Sequence, residues 1–191
     1  FRDTLQRALD LGLPHYSMYS LILENKTMFM NWVRQGRLEL PTQEVESQMF
    51  EEAITAMEKS GHRQYEVSNF ALPGKESQHN LVYWNNENYY GFGAGASGYL
   101  NNIRYKNFGP IQHYLKPLRE NQLPIVETET LTWENQIEEE LFLGLRKLDG
   151  ISQRRFAEKF AVDFTTIYQD VLPELIEKNW LTMTGDQVRL T

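Results

Sequence analysis

Apolar residues recur with helical and strand spacing along the first part of the chain. Residues 2–11 carry three leucines and one alanine at helical spacing, and Gly12 is expected to end this helix. Residues 15–23 are nearly all apolar or small, which predicts a strand buried on both faces, as in a parallel sheet. Residues 42–60 show the clearest helical periodicity, with Thr42 as the N-cap.

Two further short elements complete an α/β pattern in this region. A short helix is expected near residues 27–35 and a strand over residues 63–67. The order helix, strand, helices, strand is typical of α/β units with crossover helices. Because two strands do not make a domain, we expect residues 1–108 to be the last part of a larger α/β fold. The alternative is a small α+β domain with a natural N-terminus.

The pattern changes after Gly109, where helices predominate and a hairpin closes the chain. Helices are predicted over residues 110–121, 133–147, 152–160 and 163–177, and NQLPIVETET, residues 121–130, is interpreted as a link. The Gly185-Asp186 pair predicts a hairpin turn between two short final strands. Three helices followed by a hairpin is the order of a winged-helix domain, which raises DNA binding as an alternative function.

Charge argues against that alternative. Residues 131–191 hold 7 Lys and Arg against 11 Asp and Glu. Residues 163–177, which would be the recognition helix, contain no Lys or Arg. Contacts to guanine and to phosphate both depend on such residues, so no nucleic-acid partner is predicted.

Composition narrows the remaining classes. The chain has 191 residues, a net charge of −7 and no cysteine, which excludes disulfides and cysteine-ligated zinc or iron–sulfur clusters within it. No apolar run approaches the roughly 20 residues needed to span a bilayer. The first residues form an amphipathic helix pattern rather than a signal peptide, and a cytoplasmic location is the default expectation.

The segment SQHNLVYWNNENYYGFGAGASG, residues 77–98, concentrates the candidate chemistry. The glycines Gly93, Gly95 and Gly98 spell G-x-G-x-x-G, but a dinucleotide fingerprint needs a helix after it. Here GYLNNIRYKN follows, which predicts a strand or hairpin bending at residues 101–102. The glycines are therefore expected to let the backbone approach a ligand or another strand.

Without a family context, the sequence leaves the roles of its titratable residues open. His79 lies in a predicted polar loop beside aromatic residues, and it is either an iron ligand or a histidine that bonds the backbone. Glu24 and Glu66 each end a predicted strand, where they could bind a ligand or serve as ordinary strand-end charges. The other histidines are interpreted as structural or solvent-facing: His15, His62 and His113.

A long motif gives this part of the chain a family context. YEVSNFALPGKESQHNLVYW, residues 65–84, resembles the signature of the HemW-like radical SAM heme chaperones, which are relatives of oxygen-independent coproporphyrinogen III oxidase. Four further stretches are similar to segments of that family: HYSMYSLILENKT, YGFGAG, ELFLGLRKLDGIS and the closing RLT. The resemblance covers nearly all of the chain.

The resemblance implies an α/β fold, the C-terminal part of a partial (β/α)6 radical SAM barrel followed by a small helical, winged-helix-like domain. Residues 1–108 would be the last strands and helices of the barrel, and residues 109–191 the helical domain. The family holds a [4Fe-4S] cluster with Cys-x3-Cys-x2-Cys and uses S-adenosylmethionine. This chain contains none of those cluster ligands, so both cofactors are expected only in the full-length protein.

The resemblance also implies site residues. The family's H-N-x-x-Y-W motif, linked to heme binding, is here His79, Asn80, Tyr83 and Trp84, and His79 becomes the candidate ligand of the heme iron. By resemblance to the oxidase relatives, contacts to S-adenosylmethionine are expected from Ile22, Glu24, Ala96 and Ser97. Two departures from the family pattern bear on that second set. Ser97 replaces a usual histidine, and Asn25-Lys26 replaces a glycine-containing pair.

The function implied is that of a radical SAM heme chaperone, which binds heme and passes it to hemoproteins. The alternative is an oxygen-independent coproporphyrinogen III oxidase, which decarboxylates propionates with a 5′-deoxyadenosyl radical. This chain alone is not expected to cleave S-adenosylmethionine. The barrel edge is a candidate surface for pairing with a second copy in a homodimer.

Overall fold

The computed structural model describes all 191 residues, which divide into two compact units at residues 76 and 77. The first unit contains α1 (Arg2–Asp10), β1 (His15–Ser17), α2 (Met28–Arg34), α3 (Gln43–Lys59), β2 (Arg63–Glu66) and β3 (Asn69–Ala71). None of the helices combines the length and the apolar character that crossing a membrane requires.

The second unit begins with the segment singled out in the sequence. It contains α4 (Gln78–Trp84), β4 (Ser97–Leu100), β5 (Ile103–Asn107), α5 (Ile111–Arg119) and β6 (Ile125–Thr130). These are followed by α6 (Trp133–Gly144), β7 (Ile151–Ser152), α7 (Gln153–Phe160), α8 (Phe164–Ile167), α9 (Leu172–Glu177), β8 (Leu181–Thr184) and β9 (Gln187–Leu190).

The sheet of the first unit has the order β1–β3–β2, and β3 runs antiparallel to both neighbours. The expectation of a purely parallel arrangement is therefore wrong, because β3 was not predicted and lies between the two strands that were. The core beneath this sheet is built around Tyr16, Met57 and Phe70. Helices α1 and α3 supply its surrounding apolar side chains, as their periodicity predicted.

Strand β1 is much shorter than the nine residues predicted for it. It ends at Ser17, and Met18 makes one more backbone bond, to the carbonyl oxygen of Ser68 at 2.8 Å. Residues 19–23 pair with no strand, and the side chain of Ile22 is 82% exposed. Apolar and β-branched residues alone do not form a strand, since the backbone needs a partner for its hydrogen bonds.

The central part of the second unit is the antiparallel sheet β4–β5–β6. The predicted hairpin is confirmed, with Asn101 and Asn102 at φ of 50° and 64° in its two-residue turn. Strand β6 replaces the predicted link and pairs with β5. The two compact units therefore do not divide at residues 108 and 109, because the pairing of β5 with β6 crosses that point. As a domain boundary of the complete protein, it stays a prediction.

The last 61 residues, 131–191, enclose their own core beneath the sheet β7–β9–β8. Phe156 and Phe164 are fully buried there with their ring centroids 5.3 Å apart. The hairpin predicted at Gly185-Asp186 is confirmed as β8–β9. The helix predicted over residues 163–177 is instead two short helices, since Pro173 has no backbone N–H and fits only in the first turn of a new helix, α9.

Candidate functional site

The H-N-x-x-Y-W residues lie on a helix, α4, and not in the polar loop predicted for them. The hydroxyl of Ser77 accepts a hydrogen bond from the backbone N–H of Asn80 at 3.3 Å and caps this helix. Serine is among the residues preferred at a helix N-cap, so Ser77 was a usable helix-start signal in the sequence. The helix is only seven residues long, so its stability depends on tertiary contacts.

His79 and Tyr83 are four residues apart and therefore share one face of α4. The Nε2 atom of His79 lies 3.2 Å from the phenol oxygen of Tyr83, and the rings meet edge to face with centroids 4.8 Å apart. His79 is exposed and Tyr83 is half-buried. This face presents an imidazole to solvent with an aromatic ring fixed beside it.

The aromatic row continues from Tyr83 into the sheet. The ring of Tyr89 packs edge to face on Tyr83 with centroids 4.6 Å apart, and Tyr89 and Tyr99 exchange backbone hydrogen bonds of 2.8 and 2.9 Å. Burial raises the pKa of the Tyr89 phenol, and burial likewise raises the pKa of Tyr99. Both phenols are uncharged near neutral pH, and the ring of Tyr89 supports that of Tyr83.

Asn80 and Trp84 occupy the neighbouring face of α4. The guanidinium of Arg146 lies over the Trp84 ring, 4.4 Å from its centroid, in a cation–π contact. The indole nitrogen of Trp84 is buried without a hydrogen-bond partner. Trp84 thus packs against Arg146, while His79 on the neighbouring face of α4 is exposed to solvent.

The glycine segment is fitted against strand β5. A Cβ on Gly98 would overlap the ring of Tyr105, and one on Gly91 would overlap the carbonyl group of Ser97. The buried side chain of Asn107 donates hydrogen bonds to the carbonyl oxygens of Gly91 at 3.1 Å and Gly93 at 2.9 Å. Of the two alternatives for these glycines, approach to another strand is the one observed at Gly91 and Gly98.

The residues expected to contact S-adenosylmethionine lie in two different units. Ile22 and Glu24 follow β1 in the first unit, where the carbonyl of Glu24 accepts a hydrogen bond from the hydroxyl of Thr27 at 2.8 Å. Ala96 and Ser97 belong to the second unit. The carbonyl of Ala96 accepts from the Asn107 backbone at 2.8 Å, and Ser97 is exposed at the start of β4. Their joint contact with a ligand stays a prediction.

Glu66, the other strand-end carboxylate, is fully buried and serves the fold. It accepts hydrogen bonds from the backbone N–H of Ser68 at 3.2 Å and from the side-chain amide of Asn69. His62 is likewise buried, with its ring nitrogens bonded to Ser60 at 2.7 Å and to the carbonyl of Leu13 at 2.8 Å. The structural interpretation of His62 is confirmed, and the ordinary strand-end role of Glu66 is favoured over ligand binding.

The surroundings of His79 do not form a site for a bare metal ion. No group of three or more His, Cys, Asp or Glu residues in the chain is placed to hold a metal by itself. A porphyrin supplies four nitrogen ligands and needs only an axial ligand from the protein, and imidazole is a usual one. His79 is the exposed imidazole that the family motif offers for this role, and its ligation of iron stays a prediction.

Comparison with known proteins places the chain in a family. The HemN C-terminal domain matches residues 131–191. The heme chaperone HemW of Bacillus subtilis is 48% identical over 98% of the chain, and that of Lactococcus lactis is 46% identical over all of it. The chain belongs to the HemW family. It spans about half the length of these two relatives, 50% in each case.

More distant matches include a relative found by sequence and a solved structure. A zebrafish protein named radical S-adenosyl methionine domain-containing protein 1, mitochondrial, is 33% identical over 82% of the chain, which covers 37% of that protein. The solved structure of coproporphyrinogen III oxidase from Escherichia coli, a radical SAM enzyme, matches the whole chain with a TM-score of 0.72 at 15% identity. The chain covers 47% of that structure, and the match establishes a common mixed α/β fold.

Sequence reasoning missed the residues that hold α4 in place. Arg146 and Lys147 lie in the stretch ELFLGLRKLDGIS, which was noted only for its resemblance to the family. Two adjacent basic residues just beyond a helix are a visible signal. Their partners Trp84 and Asn85 are 62 residues earlier in the chain, and nothing in one sequence links them.

Proposed function

We propose that this chain forms the heme-binding part of a heme chaperone that accepts heme and passes it to hemoproteins. The observation that carries the proposal is the exposed His79 on α4, with its imidazole 3.2 Å from the Tyr83 phenol, in a chain 48% identical to a protein named heme chaperone HemW. An exposed axial ligand suits a carrier, because heme must be able to leave as well as bind.

In this proposal His79 ligates the iron and the neighbouring aromatic side chains contact the porphyrin. Tyr83 is supported from behind by Tyr89, so its ring is held in place. Asn80 and Trp84 complete the motif on the adjacent face. S-adenosylmethionine and a [4Fe-4S] cluster are assigned to the complete protein, with Ile22, Glu24, Ala96 and Ser97 as candidate contacts for the former. Residues 1–108 would then be the last part of a partial barrel, and residues 109–191 a small helical, winged-helix-like domain.

The oxidase alternative receives less support. The likeness to coproporphyrinogen III oxidase is at 15% identity, which concerns the fold only. The proteins that match at 46–48% identity are named heme chaperones. The cytoplasmic location, the homodimer and the absence of a nucleic-acid partner remain predictions.

The test is a hemin titration of the full-length protein, followed by its Soret band. Wild-type protein is expected to give a saturable Soret shift that His79→Ala loses. His113→Ala is the matched control, since His113 is also exposed but lies on α5. Equal binding by wild type and His79→Ala would overturn the assignment of His79.

A further inference from the structure

The C-terminal end of α4 is held by basic side chains from residues 131–191. The guanidinium of Arg146 lies 4.4 Å from the centroid of the Trp84 ring. The adjacent Lys147 donates a hydrogen bond from Nζ to the Oδ1 atom of Asn85 at 2.7 Å. The last residue of α4 and its C-cap are thus fixed by two consecutive residues that follow α6.

A second group of contacts holds the residue that follows the C-cap. Lys159 on α7 donates from Nζ to the carbonyl oxygen of Asn86 at 3.0 Å and forms an ion pair of 2.6 Å with Glu140 on α6. The side-chain amide of the buried Asn86 also donates to Glu140, at 3.3 Å. A cation beside carbonyl groups at the end of a helix is favourable, because they carry the negative end of the helix dipole.

These contacts matter because α4 cannot be stable alone. An isolated helix of seven residues is far below the length that persists in water. His79 lies five positions before Trp84, about 7.5 Å along the helix axis. The orientation of the His79–Tyr83 face therefore depends on how the other end of α4 is held.

We propose that residues 131–191 position the candidate heme helix through three residues, Arg146, Lys147 and Lys159, which we call the α4 clamp. They are positioning residues, which act through Trp84, Asn85 and Asn86 and do not contact the ligand. This inference rests on the proposed function for its consequence in heme binding. Its structural part, the immobilisation of α4, can be tested without heme.

The first experiment is amide hydrogen exchange on the full-length protein. Lys147→Met removes the bond to Asn85, and we expect faster exchange in residues 78–87 with unchanged exchange in residues 133–144. Lys178→Met is the control, because Lys178 is also a basic residue of this region but pairs with Glu174 on α9. Unchanged exchange in residues 78–87 for both Lys147→Met and Arg146→Gln would overturn the clamp.

The faster exchange expected in Lys147→Met is not expected to come from a general loss of stability. Burial lowers the pKa of the Lys147 amino group, and the charge of Arg155 lowers it further, so the charged form of Lys147 is disfavoured where it lies. Replacing it with methionine removes that penalty and retains most of the apolar stem. Faster exchange confined to α4 would therefore report the lost hydrogen bond.

The second experiment measures hemin affinity in the same variants. Arg146→Gln is expected to raise the hemin Kd by roughly three- to tenfold, as for one modest net interaction. Arg146→Lys, which keeps a cation for Trp84, is expected to restore much of the affinity and the wild-type Soret position. If wild type binds hemin through His79 while Arg146→Gln binds equally well, the clamp has no role in heme binding. If wild type gives no saturable shift, the proposed function fails, and hydrogen exchange alone decides the clamp.

Discussion

The phenol oxygen of Tyr105 accepts a hydrogen bond from the backbone N–H of Gly91 at 2.9 Å. Tyr105 lies on β5 directly opposite Gly98 of β4, and its ring occupies the space that a side chain at residue 98 would take. Tyr105 therefore explains why residue 98 is glycine, whereas at residue 91 a Cβ is excluded by the carbonyl group of Ser97. The segment after the candidate heme helix is fixed to the sheet by its backbone.

Gly98→Ala is expected to destabilise the second unit by about 1–3 kcal/mol, the usual cost of overfilling a packed site. The added methyl group would overlap the Tyr105 ring, which cannot move freely while its hydroxyl bonds Gly91. Chemical denaturation monitored by circular dichroism measures the change. Gly109→Ala is the control, because a Cβ there meets nothing within 4 Å. Equal losses in the two variants would contradict the packing explanation.

Asn107→Asp is expected to destabilise the protein by roughly 2–5 kcal/mol, since it replaces a buried donor with a charged acceptor. The amide of Asn107 donates to the carbonyl oxygens of Gly91 and Gly93, and a carboxylate would face both oxygens without a proton to share. Asn88→Asp is the matched control, because the Asn88 side chain accepts from the Asn101 backbone at 3.1 Å and aspartate retains that role. If Asn107→Asp were as stable as wild type in the same denaturation assay, this explanation would be contradicted.

Local signals in the sequence predicted the elements whose stability is local. The periodic helix α3 and the asparagine turn of β4–β5 both lie where the pattern put them. Strand β3 was not predicted because it is only three residues long, although it is the central strand of its sheet. The observed strand β1 is shorter than the predicted residues 15–23 because only the first of these residues have a pairing partner.

The candidate site was predictable in its residues but not in its support. The family motif named His79 and Tyr83, and helical spacing explains why they meet once α4 is recognised. The packing of Arg146 on Trp84 depends on tertiary structure and has no counterpart in local sequence. A single sequence carries no information on contacts between segments so far apart.

Asp186→Asn is expected to lower stability at pH values above 3.8 and to have progressively less effect below that value. Hydrogen bonds from the Ser152 hydroxyl at 2.5 Å and the Arg154 backbone at 2.8 Å lower the pKa of this carboxyl from its ordinary 3.8. A lowered pKa means that the folded state binds fewer protons than the unfolded state. The stabilisation is therefore complete above 3.8 and is lost as the pH falls through the folded value.

Urea denaturation of wild type and Asp186→Asn across that pH range measures the effect. Asp163→Asn is the control, since Asp163 precedes α8 but its side chain makes no capping hydrogen bond. A difference between wild type and Asp186→Asn that stays constant from neutral to acidic pH would show that the charge of Asp186 contributes nothing.

Tyr83→Phe is expected to tighten hemin binding by roughly two- to tenfold, if the Nε2 atom of His79 is the one that ligates iron. That atom now lies 3.2 Å from the Tyr83 hydroxyl, and the hydrogen bond must break before iron can take its place. Phenylalanine keeps the aromatic ring beside the imidazole and removes only the competing hydroxyl. The hemin Kd from Soret titrations of the full-length protein measures the change. In a His79→Ala background the same substitution should have no effect, because the competition no longer exists. Weaker binding by Tyr83→Phe would instead mean that the hydroxyl orients His79 or itself contacts the heme.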